Sequence, residues 1–393
     1  MRSTRPERIC IVRQRDYYEL SLRREAEALR DAGYEVDIVC LRGPGDPAVE
    51  VDDGVTLHRL PLRRRRGGPL NYLLDYFSFF LLASLKVARL HLRRRYRVVQ
   101  ANSMPDVLVF TALVPKLFGA KVVAFMKEPT PELGETKYGS ARLARVLRAV
   151  EQAALRFADL AFTVTEDLKD TYVARGAKPD KIRVVLNGPD ARHLLEHRSD
   201  TRPDPAWFTA ICHGLVDERY GHDTMVRAVG LAAERIPNLR LRITGTGDYV
   251  EELQQLIEAE GLGDRVDYLG WLDMPGLLAE LGRADVGIVA QKSSPYSNLV
   301  HTNKMYEYML LDIPVVASRL RSTARYFDSD AVEYFEPGSP ESLAEALVAV
   351  HRDPERRRSL VKAAREQSHD CAWAAQQEIY LAGYASLLGP PPG

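Results

Sequence analysis

Apolar runs rich in β-branched residues alternate along this chain with stretches whose apolar positions recur every three or four residues. The first pattern predicts buried strands, the second amphipathic helices. Strands are expected at 9–12, 36–40, 55–60, 98–100, 122–125, 160–164 and 182–186, and helices at 20–32, 72–93, 107–118, 143–157 and 168–174. Such βαβα order predicts a parallel, doubly wound sheet with helices on both faces. The pattern breaks at the turn signal Asn187-Gly188-Pro189 and at the polar, proline-rich stretch 200–205. It resumes with strands at 209–212, 239–244, 266–269, 286–289 and 315–317, and helices at 225–235, 250–260, 274–281 and after Thr302. Helices at 341–352, 355–366 and 372–388 close the series. Two consecutive series of similar length predict an α/β protein of two Rossmann-like domains, 1–200 and 201–370, with an interdomain cleft. The tail 389–393 is expected to be disordered.

A length of 393 residues suits two domains that each bury a core. The composition, 46% apolar and 27% charged, is that of a globular protein. The formal net charge of zero hides an asymmetry: residues 1–200 carry about 35 Lys/Arg against about 26 Asp/Glu, and the remainder reverses this. Cys10, Cys40, Cys212 and Cys371 are scattered, with no metal-binding spacing, so reduced thiols in a cytoplasmic chain are expected. No apolar segment precedes a small-residue cleavage site near the N-terminus, so no signal peptide is expected. The longest apolar stretch, 70–88, is interrupted by Asn71, Asp75 and Lys86, which argues against a spanning helix.

Candidate chemistry concentrates in the second series. Lys304 and Glu307 stand three apart and so share one face near the start of a predicted helix. That end of a helix favours anions through its free N–H groups and dipole. An ammonium there can hold a phosphate, and a carboxylate one turn on can accept two ribose hydroxyls. The alternative is an ordinary ion pair between the two. Gly245-Thr246-Gly247 lies between a predicted strand and a predicted helix, where glycines let the backbone approach a ligand.

The run from Thr302 through Glu307-Tyr308-Met309 to Pro314-Val315-Val316-Ala317-Ser318 resembles the donor-binding signature of family 4 glycosyltransferases. The resemblance covers nearly the whole chain and is strongest from Gly214 to Ser318. It implies the GT-B type of fold, with 371–388 packing back on the first domain. It also implies retaining transfer of a sugar from a nucleoside diphosphate sugar, UDP favoured, to an acceptor hydroxyl. The nucleotide sugar would be a co-substrate, with no cofactor and no metal. The loop from His213 to Asp223 resembles the family's loop after the first donor-domain strand, with Gly214 and Gly221 in place. Leu215 and Tyr220 stand where Arg and Lys are usual. Arg219, one place off, is the natural substitute for gripping a diphosphate, its alternative being an ion pair with Asp217 or Glu218. The first of the family's paired glutamates is Leu299 here, flanked by Asn298 and Val300. The sugar contacts would then fall to the backbone amides from Asn298 to His301, or to the His301 ring. Tyr268-Leu269-Gly270-Trp271 resembles the base-contact turn, with simple packing as the alternative for Trp271.

In the first series, Asn102-Ser103-Met104-Pro105-Asp106 and Met126-Lys127-Glu128-Pro129-Thr130-Pro131-Glu132 each follow a predicted strand, where open α/β sheets bind ligands. Both resemble acceptor loops of the branch similar to bacterial surface-polysaccharide transferases, with Asn102 and Lys127 in place of histidines. Glu128 fills the acidic place and is the candidate base for the acceptor hydroxyl. Lys127 would oppose a raised Glu128 pKa or neutralise phosphate. Arg13, Arg15, Asp16 and Tyr17 follow the first strand and are expected at the same site, Arg13 as an anion contact.

Segment 59–97 carries about 11 basic residues and one acidic residue around the aromatic run Tyr76-Phe77-Ser78-Phe79-Phe80. It suits either an anionic membrane interface or a buried helix with solvated basic ends. Nucleic acid is not an expected partner, since no nucleic-acid module accompanies the charge. Asp328-Ser329-Asp330 reads as a turn rather than a metal motif. The expected protein is a cytoplasmic, peripherally membrane-bound glycosyltransferase acting on a glycan, lipid-linked or small-molecule acceptor. A nucleotide-sugar epimerase of the same plan and a degenerate, binding-only subunit remain as alternatives.

Overall fold

The computed structural model describes residues 6–15, 17, 20–62, 69–191, 194 and 201–389. Asp16, the arginine run 63–66 and the tail 390–393 lie outside the described residues. The chain forms two α/β units, Met1–Leu186 with Gln376–Gly393, and Asn187–Ala375.

The first unit holds strands β1 (Arg8–Val12), β2 (Glu35–Leu41), β3 (Val49–Asp52), β4 (Val55–Leu60), β5 (Val98–Asn102), β6 (Lys121–Met126), β7 (Leu160–Thr163) and β8 (Ile182–Val184). Their order is β3-β4-β2-β1-β5-β6-β7-β8. All neighbours pair in parallel except β3 with β4, an antiparallel hairpin. Its first strand, β3, is absent from the strands expected above, although Asp53-Gly54 signals the turn. Both residues take positive φ (44° and 77°), as a two-residue hairpin turn requires. The strands expected to be buried are so, from Ile9 to Val12 and from Val122 to Met126. The helix expected at 107–118 is instead a 3₁₀ segment, Asp106–Ala112, running into the short helix Leu113–Leu117.

The second unit holds β9 (Phe208–His213), β10 (Leu239–Thr244), β11 (Val266–Tyr268), β12 (Val286–Val289), β13 (Val315–Ser318) and β14 (Glu333–Phe335), ordered β11-β10-β9-β12-β13-β14 and all parallel. Its core packs Ile243, Val286, Ile288 and Val316 of the sheet against Met225, Val229, Leu343 and Leu347 of the helices. The unit begins at Asn187 rather than near residue 201. The reason is local: the Trp373 N–H donates to the Pro189 carbonyl at 3.2 Å and ties the connecting segment to this unit.

Each sheet reverses its winding direction once, between β1 and β5 in the first unit and between β9 and β12 in the second. Open α/β sheets bind ligands beyond the carboxyl ends of strands at such switch points. The candidate residues gather at these two places.

Candidate functional site

In the second unit, β9 ends at His213 and β12 leads by a loop into helix Asn303–Leu310. That helix swings Lys304 across the switch point. Its ammonium is buried, 3.7 Å from Cys212 Sγ and 4.6 Å above the Tyr220 ring. Among the described residues no carboxylate lies within ion-pair distance of Lys304, so the expected alternative of a Lys304–Glu307 pair does not form. Glu307 instead places Oε2 at 3.1 Å from His213 Nε2. Burial pushes the Glu307 carboxyl up to about 7, with the Lys304 charge opposing. Burial together with Lys304 holds the imidazoles down, His213 to about 3 and His222 to about 4, so both rings are neutral. The site therefore carries a buried cation beside two neutral imidazoles and a carboxyl that titrates near neutrality.

The helix starts add to this. The helices after the three central strands, His222–Ala232 after β9, Val250–Ala259 after β10 and Asn303–Leu310 after β12, begin without a side-chain cap. Those after the outer strands are capped: Asp273 accepts from Gly276 N, Ser339 from Ser342 N, and Asn298 Oδ1 from Arg321 N. Uncapped N-termini leave first-turn N–H groups and the positive dipole end to an anion. Arg219 stands beside Lys304's aromatic neighbour. Its guanidinium lies over Tyr220 and Tyr296, 5.2 and 5.1 Å from the ring centroids, with Nε 3.5 Å from Asp217.

Several expectations need correction here. Gly245 and Gly247 are required by the protein's own backbone, whatever ligand approaches. A Cβ on Gly245 would stand 1.7 Å from the Gly214 carbonyl oxygen, and one on Gly247 1.8 Å from that of Val216. The two loops are laced together, Gly214 N to Thr244 O at 2.9 Å and Val216 N to Thr246 O at 3.0 Å. Gly245→Ala, at φ 137°, should therefore destabilise the fold by more than about 2 kcal/mol. A urea midpoint equal to wild type would contradict this. The His301 ring is not turned to a sugar: Nε2–H donates to the Ser322 carbonyl at 2.8 Å and Nδ1 accepts from the Tyr306 hydroxyl. The amides of Asn298 and Leu299 already donate to Ser294 and Tyr296 carbonyls, while the Leu299 and Val300 side chains are buried. The Gly270 carbonyl accepts from Gly245 N at 2.8 Å, and Trp271 beside it is 71% exposed, which excludes simple packing.

In the first unit, Arg13 follows β1 and donates to the Ser103 carbonyl after β5, so it braces the loop across the switch point instead of standing ready for an anion. Lys127 is likewise committed. Its Nζ lies 2.5 Å from Glu25 Oε1, 3.0 Å from Ser21 Oγ and 4.7 Å over the Phe125 ring, a buried pair that does not neutralise phosphate. Glu25 Oε2 accepts from Gln100 and Asn102, and Gln100 Oε1 accepts from the Tyr380 and Tyr384 hydroxyls of helix Trp373–Leu388. Ser103 Oγ accepts from Lys127 N at 2.8 Å. Tyr17 is buried, which pushes its phenol up to about 12. Glu128 is half-buried just past β6. Beside it stands Asp106, from the loop after β5. Burial and the Glu151 charge raise the Asp106 carboxyl to about 7, the Thr130 hydroxyl at 3.1 Å opposing. Glu132 and Glu151 share the Arg175 guanidinium nearby.

Among the described residues, no three or more His, Cys, Asp or Glu side chains are grouped to hold a metal, and no helix is long and apolar enough to cross a membrane. Two family models match in succession, "Glycosyl transferase 4-like domain" over residues 18–188 and "Glycosyl transferases group 1" over 196–367. The chain is a family 4 glycosyltransferase. Among curated relatives of this glycosyltransferase, the D-inositol 3-phosphate glycosyltransferase of Pseudarthrobacter chlorophenolicus is 25% identical over 384 residues, covering 93% of this chain and 89% of the relative. Sucrose-phosphate synthase from Thermosynechococcus elongatus superposes with a TM-score of 0.76 at 20% identity, over 97% and 99% of the two chains. Anabaena HepE in complex with UDP-glucose gives 0.71 at 15% identity, over 96% and 99%. These likenesses establish the GT-B fold for the glycosyltransferase.

The functional neighbours that sequence reasoning missed are His213, His222 and Asp106. His213 and His222 flank the quoted loop, and a histidine at a strand end and another at a helix start were signals available in the sequence.

Proposed function

We propose that this glycosyltransferase moves a hexosyl group, with retention and without a bound metal, from a nucleoside diphosphate sugar to an acceptor hydroxyl. UDP is the favoured nucleotide, a preference supported by the UDP-glucose held by HepE. The observation that carries the reading is Lys304, a buried ammonium with no carboxylate partner among the described residues, in a unit whose three central helices start uncapped. Burying an unpaired charge costs several kcal/mol, and a diphosphate would offset that cost. As the glycosidic bond to phosphate lengthens, negative charge grows on the leaving oxygen, where Lys304, Arg219 and the helix dipoles act most strongly. That oxygen can take the acceptor proton, with Glu128 and its neighbour Asp106 as side-chain candidates for the same task. Glu307, ionised, accepts ribose hydroxyls.

Thermal-shift titration with UDP, GDP, dTDP and ADP tests the reading. A ligand at a hundred times its dissociation constant should add about 2.7 kcal/mol to stability. No stabilisation by any of them at millimolar concentration would overturn it. Because Glu307 titrates near 7, affinity for UDP-glucose should be full at pH 8 and weaken up to about tenfold at pH 6. The sign for the apo fold is opposite: a raised carboxyl pKa costs nothing below about 4.5 and its full penalty above about 7. Glu307→Gln should thus stabilise the apo protein at pH 8 and abolish the pH dependence of binding. A flat affinity profile in wild type would count against ribose recognition by Glu307.

The acceptor is proposed to be lipid-linked, at the cytoplasmic membrane face. Helix Pro69–Arg94 exposes Leu73, Phe77, Leu81 and Leu85 on successive turns, followed by exposed Arg89 and Arg93. Basic residues near an anionic surface contribute about 1 kcal/mol each. Wild type should float with phosphatidylserine vesicles at low salt, and Phe77→Ser/Leu81→Ser should not. Equal flotation of both would leave a soluble acceptor, such as the phosphorylated polyol named for the Pseudarthrobacter relative.

A further inference from the structure

The donor reading gives tasks to Lys304 and Arg219 and none to the aromatic ring they share. Two long cationic side chains can clamp a diphosphate only if they wait at one place, and ordering them costs rotamer freedom. A carboxylate would order them but cancel the charge the ligand needs. Lys304 has none within ion-pair distance among the described residues. Its side chain is 7% exposed, and its ammonium lies 3.7 Å from the Cys212 thiol and 4.6 Å from the centre of the Tyr220 ring. The Arg219 guanidinium, which also meets Tyr296 and Asp217, lies 5.2 Å from the same ring centre. Both cations are within the reach of about 6 Å at which a ring face attracts positive charge. A ring carries no net charge, so it orders a cation without neutralising it.

The ring is also a fixed point. Tyr220 ends the 3₁₀ turn Glu218–Tyr220, its N–H donating to the Asp217 carbonyl at 3.0 Å. Just before it, the Arg219 carbonyl accepts from Lys292 N at 2.8 Å, which fastens the loop after β9 to the loop after β12. Just after it, Gly221 takes φ 67° and packs so closely that a Cβ would stand 2.0 Å from the Ala290 carbonyl oxygen. The backbone that carries the ring is thus pinned on both sides, across the switch point between β9 and β12.

We propose that Tyr220 is a positioning residue for the diphosphate of the donor: its pinned ring holds the Lys304 ammonium and the Arg219 guanidinium in place while leaving both charges to the ligand. The inference rests on the donor-site reading above and deepens it.

The test measures, by calorimetry and displacement, the affinity of the tightest-binding of UDP, GDP, dTDP and ADP and that of its nucleoside. Wild type is compared with Tyr220→Phe, Tyr220→Leu, Lys304→Ala and the double variant Tyr220→Leu/Lys304→Ala. The ratio of the two affinities reports the diphosphate alone. Tyr220→Leu should lower that ratio by about tenfold or more, the size of a cation–π contact made away from water. Nucleoside affinity should not change, whereas a merely disturbed loop would lower it too. Tyr220→Phe, which keeps the ring face, should hold the ratio within about threefold of wild type. With Lys304 already replaced by Ala, the Leu substitution should cost under about threefold, because one of the two cations it served is gone. A ratio in Tyr220→Leu equal to that of wild type overturns the proposal and leaves the donor site standing. So does an equal loss in Tyr220→Phe, or a cost of Tyr220→Leu that is the same with and without Lys304. Failure of every nucleotide to bind wild type overturns the donor reading itself. Should Tyr220→Leu not fold, Tyr220→Met takes its place with the same expected loss.

Discussion

Lys304→Ala should lower sugar transfer by a factor on the order of 10²–10³ and leave the melting temperature of the apo protein unchanged or higher. Two facts make this pair of outcomes unusual. The ammonium is buried, and its nearest polar neighbour is a thiol at 3.7 Å rather than a carboxylate. In the empty protein it is therefore a desolvated charge that ordinary packing would not retain, and removing it relieves strain in the electrostatics. In the transition state the same charge faces the departing diphosphate, and nothing else on that helix can replace it. Arg219, held over two tyrosine rings and beside Asp217, supplies a second positive charge and accounts for residual activity. Turnover with the donor identified by nucleotide titration, set beside apo melting curves, checks both halves. A variant that melts well below wild type yet transfers sugar within tenfold would make Lys304 a structural residue.

Glu25→Ala should behave in the opposite way, destabilising the fold by about 3–5 kcal/mol. Glu25 is fully buried and anchors three donors: Lys127 Nζ, Gln100 Nε2 and Asn102 Nδ2. Its loss takes the opposite charge from the buried Lys127 ammonium, leaving it the Ser21 hydroxyl, and removes an acceptor from the Gln100 and Asn102 amides, each at a desolvation cost. Adding Lys127→Met removes the orphaned charge and should recover part of the loss. Trp207, Trp271 and Trp373 all lie in the second unit, so unfolding of the first is best followed by circular dichroism rather than tryptophan fluorescence. A single variant as stable as wild type would show that Lys127 finds water or another partner.

The two predictions mirror how unevenly the sequence speaks. The strands and the donor helix were legible because each rests on a local pattern: apolar, β-branched runs, and Lys304 and Glu307 one turn apart on Asn303–Leu310. Partnerships across the fold were not. Lys127 reads equally as a phosphate ligand or a core cation, and only the structure supplies Glu25, 102 residues earlier in the chain, to decide it. The His301 ring reads as a sugar contact until Tyr306 and the Ser322 carbonyl are seen on either side of it. Gly245 and Gly247 carry the same letter whether they admit a ligand or a neighbouring backbone. Conversely, Asp53-Gly54 signals the turn into β4, but β3 before it is only four residues long and shows no pattern of its own.

The last helix also sets an order of events. Tyr380 and Tyr384 reach back to Gln100 across 280 and 284 positions, and Gly383 lies against Phe162, where a Cβ would stand 2.4 Å from the ring. A ribosome releases the second unit's residues before it releases these. The first domain therefore waits, with Gln100 and the Phe125–Phe162 face uncovered, until the second unit has been synthesised and this helix follows it. An intervening domain of 189 residues has time to fold during that wait, at a synthesis rate of about 5–20 residues per second. In a chain truncated shortly before Tyr380, the earliest-made domain is the one that fails.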